Sequence, residues 1–148
     1  MTPENRLKDE IEQVGIEAWT SSSYRPGLVK HIVLFRYIDG VTDAQKGEII
    51  RRFRALKDSL RDNQPYILAI DAGRQNSEEG LEQGYQQGFI VTFASEGDRN
   101  YYVGEPLVTD PRYYDRQHAA FKQFIRPYLM VNAGVLVFDF SLNEGASC

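Results

Sequence analysis

Histidine is the side chain whose ordinary pKa lies nearest neutrality, and this sequence holds two, His31 and His118. With an ordinary value of about 6.5, an imidazole at neutral pH is mostly free base and can still return a proton. A tyrosine, at about 10, stays protonated and donates a hydrogen bond. Together the two side-chain types can take a proton from the carbon beside a carbonyl and steady the oxygen as it becomes negative. Tyr101 and Tyr102 are adjacent, so on a helix they point about 100° apart and at most one of them enters a given pocket. Each histidine also has a structural use. His118 on a helix can satisfy its nitrogens on Tyr102, a backbone carbonyl or water, and His31 on a strand needs one acceptor.

Other chemistries find less support. Two histidines without a CxxC or HExxH spacing fall short of the three protein ligands of catalytic zinc, so no metal is expected. Asp139 joins them only if its strand parity allows, which the sequence leaves open. Gly73, Gly80, Gly84 and Gly88 are spaced for turns rather than for a dinucleotide-binding loop, and no cofactor is expected.

The elements that must position these residues follow from periodicity and caps. Residues 28–38, LVKHIVLFRYI, are β-branched and aromatic and alternate as a half-buried strand does. Val29, His31, Val33, Phe35 and Tyr37 share one face, and Lys30, Ile32, Leu34 and Arg36 the other. Thr42 and Gln45 form a capping box for a helix whose buried stripe reads Ile49, Phe53, Leu56, Leu60. A second strand spans 66–72, a polar loop follows from 73, and a third strand covers 88–93. Ser95 caps a short helix carrying Tyr101 and Tyr102. Asp110 and Pro111 predict the start of a long helix reaching about Leu129, with Tyr114, His118, Phe121, Ile125 and Tyr128 along one face. A last strand covers 134–140. Before residue 28 a charged helical extension carries Leu7, Ile11, Val14 and Trp19 at roughly helical spacing, enough for one face to lie on a partner surface.

This order predicts an α+β domain: a ferredoxin-like, four-stranded antiparallel sheet with helices on one face. The expected division is an N-terminal helical extension or tail at 1–27, the domain at 28–140, and a loose tail at 141–148. Four strands cannot close a barrel alone, so the bare sheet face predicts a homodimer that packs two sheets together as a dimeric α+β barrel. The 148 residues, 42% hydrophobic, suit one domain with a real core. A net charge of -4 repels phosphate backbones and anionic lipid, so neither nucleic acid nor membrane is an expected partner. The lone Cys148 cannot close an intrachain disulfide, and MTPENRLKDEIEQ contains no apolar run, so a cytoplasmic protein is expected.

Four segments in this order resemble one family. VKHIVLFRY at 29–37, GRQNSEEGLEQGY at 73–85, GFIVTFAS at 88–95 and YYVGEPLVTDPRYYDRQHAAFKQFIRPYL at 101–129 are similar to the stress-responsive A/B barrel (Dabb) family, as is the closing FDF. The resemblance implies dimeric α+β barrels, some induced by stress, and a plant polyketide-cyclase branch that closes its substrate by aldol condensation. That branch's catalytic histidine falls on His118, its tyrosine on Tyr102, with Tyr101 as the alternate, and a first-strand histidine on His31. Another pocket histidine of the branch falls at Gln87, which cannot serve as a base. Val33, Phe35, Phe121 and Ile125 would wall a pocket for a small aromatic or acyl ligand. The alternative is a non-enzymatic stress or ligand-binding protein in which the histidines are structural.

Overall fold

The computed structural model describes residues 2–142; Met1 and 143–148, with Cys148 and most of the expected C-terminal tail, lie outside the described residues. Thr2 accepts from the Asn5 N–H and Pro3 occupies the first turn, which starts helix α1 (Pro3–Val14). Gly15, at φ +85°, ends it, because that backbone conformation suits a residue without a Cβ. A single turn α2 (Ile16–Trp19) follows. The apolar residues expected on one helical face are therefore split between two elements, and Val14 is 44% exposed.

Strand β1 (Pro26–Phe35) leads to α3 (Asp43–Ala55), whose capping box of Thr42 and Gln45 is formed in both directions. The helix tightens into a 3-10 turn at Leu56–Asp58 and stops. Leu60, expected on the buried stripe, instead begins a small hairpin, β2 (Leu60–Arg61) with β3 (Gln64–Pro65), and is 53% exposed. Strands β4 (Ile67–Arg74) and β5 (Gln87–Ser95), helix α4 (Glu96–Val103), helix α5 (Arg116–Ile125) and strand β6 (Val135–Ser141) complete the chain. The main sheet has the order β4-β5-β1-β6, and every neighbouring pair is antiparallel. This is the α+β, ferredoxin-like arrangement the sequence predicts.

Alternation sends Val29, His31, Val33, Phe35 and Tyr37 under the helices, where all five are buried. Phe53 of α3 stacks on Phe89 of β5 with ring centroids 3.7 Å apart, and Phe35 and Phe121 meet the pair edge-on. The opposite face presents Leu136, Phe138 and Phe140 of β6, each at least 38% exposed, beside Ile32 and Leu34.

The helix expected from Asp110 is broken. Asp110 caps only a 3-10 turn, Pro111–Tyr113, and Tyr114 is extended. The cap of α5 is Asp115, whose carboxylate accepts from the N–H groups of Gln117 and His118 and from the Tyr66 hydroxyl. A buried cap with a tertiary partner outcompetes an exposed one. Tyr114 is thus off the helix, and at the other end Pro127 sits in a third 3-10 turn, Arg126–Tyr128. None of the described helices is long and apolar enough to cross a membrane.

Candidate active site

A cavity of about 940 Å³ lies between the β1–β6 half of the sheet and α5, and both histidines line it. Val33 and Phe35 form its floor together with Val135, Val137 and Asp139, because β6 runs antiparallel beside β1 and keeps the same parity. His118, Phe121, Lys122 and Ile125 recur at helical spacing on α5 and form the wall above.

His31 lies directly opposite Asp139, and its Nδ1 stands 2.7 Å from Asp139 Oδ1. An ionised carboxylate only accepts, so Nδ1 carries the proton and Nε2 is left as the basic nitrogen. Burial raises the Asp139 carboxyl, but hydrogen bonds and charges from His31 and Arg99 outweigh it and hold the group below its ordinary value. Behind it Arg99 Nη1 donates to Asp139 Oδ2 at 3.0 Å and Arg99 Nε donates to Asn100 Oδ1. Asn100 Nδ2 in turn donates to the Trp19 carbonyl. The orientation of His31 is thus fixed by four residues on three other elements.

His118 is held differently. Its Nδ1 donates to the Tyr102 carbonyl at 2.6 Å, and its ring stacks on the Tyr102 ring at 3.7 Å. Burial, assisted by the nearby Lys122 charge, pulls its pKa down to about 3, against the backbone hydrogen bond, which favours the charged form. At neutral pH it is a neutral imidazole and a poor proton acceptor.

The sequence-predicted residues therefore divide. His31, His118, Val33, Phe35, Phe121 and Ile125 line one cavity. Tyr102 does not line it: the ring fills the gap between the two histidines, 5.6 Å from His31, and its buried hydroxyl has no partner among the described residues. Burial foremost raises its pKa well above the ordinary value. Tyr101 also lies outside, packed edge-on to Tyr66 and under Arg61. Gln87 faces a separate recess of about 600 Å³ beneath the 75–85 loop, where its Nε2 donates to Gly73 O. The reason is geometric. Adjacent helix positions look in different directions, and the ring of Tyr102 is taken up by stacking.

Asp139, Arg99, Asn100, Trp19, Lys122 and Arg126 were not among the expected site residues. One signal for Asp139 was present: an acidic residue inside the apolar run GVLVFDF needs a partner if it points inward. Trp19 arrives because the 19–25 segment lies tightly on α4. A Cβ on Gly97 would sit 1.6 Å from Ser21 O, and the N–H groups of Glu96 and Gly97 donate to Arg25 and Tyr24 carbonyls.

The fold and this cavity define a ferredoxin-like α+β protein with a sheet-and-helix pocket. The chain belongs to the stress responsive A/B barrel domain family, whose pattern matches residues 29–142. Among solved structures it resembles a protein from Arabidopsis thaliana at 27% identity, covering 76% of this chain and 93% of that one, TM-score 0.59. It also resembles the hydroxynitrile lyase from Passiflora edulis at 21% identity, covering 80% and 96%, TM-score 0.60. A dimeric ferredoxin-like protein of unknown function from Jannaschia sp. CCS1 aligns at 18% identity over 78% of this chain and 100% of that one, TM-score 0.59. No curated protein matches the sequence.

Proposed function

We propose that the protein is a homodimer that binds a small aromatic or acyl ligand between sheet and helices and acts on it by proton transfer, as a lyase or cyclase does. The observation that carries this reading is the His31–Asp139 pair, which lines a cavity floored by Val33, Phe35, Val135 and Val137. Asp139 orients the imidazole and offsets the positive charge it gains; in bond formation Nε2 takes a proton from the carbon beside one carbonyl, that carbon attacks a second carbonyl, and the proton passes to the alkoxide so formed, while bond cleavage runs the same path backwards, from the hydroxyl oxygen to the released carbon. On this reading His31, with Asp139 behind it, takes the catalytic role that the resemblance implies for His118, whose charged form is disfavoured by burial. His118 and Tyr102 act as the wall that holds His31 in place. The exposed Leu136, Phe138 and Phe140 support the dimer, as does the dimeric state of the Jannaschia protein.

A second reading, a ligand-binding or stress protein without turnover, draws on the same burial of His118 and Tyr102. Thermal-shift screening with acyl and phenolic polyketide-like compounds, followed by turnover assays on the hits, separates the two. Enzymatic action predicts that His31→Ala still binds a hit but loses turnover by about 100-fold or more. Hits that bind and never turn over in the wild type leave the second reading standing.

A further inference from the structure

The cavity is long, and its two ends differ in charge. Asp139 pairs with His31 and Val135 with Phe35, so four strand residues, roughly 13 Å, separate the histidine end from the other. The C-terminal end of α5 lies at that other end: Ile38 N donates to Tyr128 O, Met130 N to Arg36 O, and Arg36 N to Gly134 O. Arg126, exposed and just past the last residue of α5, therefore stands remote from His31, while Lys122 lies one turn from His118; both line the cavity.

These cations differ from Arg99 at the near end, which is paired with Asp139 and Glu96. Neither Lys122 nor Arg126 forms an ion pair among the described residues. Lys122 donates to the Val103 and Glu105 carbonyls, which hold it in place without neutralising it. Its pKa is lowered, by burial first, with the Glu105 charge opposing. Lys122 thus has the Glu105 charge near it, whereas the Arg126 guanidinium, without an ion pair among the described residues, stands at the end of an apolar floor with donors free for a carboxylate.

We infer that the cavity takes an elongated ligand bearing a carboxylate at the end remote from the histidines, with Arg126 as its anchor and Val33, Phe35, Val135 and Val137 along its apolar body. The inference rests on the proposed ligand-binding role of this cavity and adds the class of ligand. It places the reacting carbonyl about a strand's half-length from the carboxylate.

Trp19, the sole tryptophan, lines the cavity and reports occupancy by its fluorescence. The full-length protein is titrated with ω-phenylhexanoate and with the matched neutral ω-phenylhexanamide, for wild type and Arg126→Gln, with circular dichroism to confirm folding. The expected result is a preference of about tenfold for the carboxylate, lost in large part in Arg126→Gln while the amide affinity stays the same. Equal binding of the two probes by the wild type overturns the carboxylate anchor and leaves the pocket standing. A preference that survives Arg126→Gln also overturns it, and failure of both probes to bind at millimolar concentration overturns the pocket and the anchor together.

Discussion

On the helix side of the sheet Phe89 and Phe93 are almost wholly buried, whereas on the other side Phe138 and Phe140 are 61% and 41% exposed. Strand parity puts these pairs on opposite faces, and position in the sheet adds to the difference: β5 lies inside it, whereas β6 is an edge on which even the inward Val135 and Val137 are 44% and 54% exposed. The chain's own helices cover one face only. The aromatic packing of Phe53, Phe89, Phe35 and Phe121 stabilises the single chain, while the open face gains its stabilisation only when a second surface covers it.

The contrast is broken most severely from inside. Phe53→Ala removes a ring stacked on Phe89 and is expected to cost about 3–5 kcal/mol in chemical denaturation; a loss below about 1 kcal/mol would mean that the core is not the seat of stability. Acid attacks the same face. The folded-state pKa of His118 lies near 3, below the ordinary 6.5, so between those values the unfolded chain binds a proton that the folded chain refuses. The stability held above about pH 6.5 is lost as pH falls towards 3, by about 2–4 kcal/mol, and His118→Gln should flatten that part of the stability curve.

On the open face Phe138→Arg should leave the circular dichroism spectrum unchanged and shift sedimentation at micromolar concentration from dimer to monomer, at least tenfold in Kd. A variant that stays dimeric would place the interface elsewhere. The smallest effect sharpens the comparison at a position remote from either face: Thr42→Ala removes the exposed cap of α3 and should cost about 1 kcal/mol without altering association or ligand binding.

The inward placement of His31 was legible in the alternation of residues 28–38, as were the caps at Thr42 and Ser95, because each depends on neighbours a few positions away. The four-stranded sheet and its bare face followed from the order of elements. Three things did not follow. The start of α5 moved to Asp115 because Tyr66, far away in sequence, shares its carboxylate. Asp139 became the partner of His31 through a register between strands 108 positions apart. Tyr102, on a helix as expected, gave its ring to stacking and left its hydroxyl outside the cavity. Periodicity and capping are local properties of the chain, so the sequence by itself determined the elements and the inward faces. Which buried groups meet depends on register and packing between distant segments, and only the tertiary structure decided that His31, rather than His118, has a carboxylate behind it.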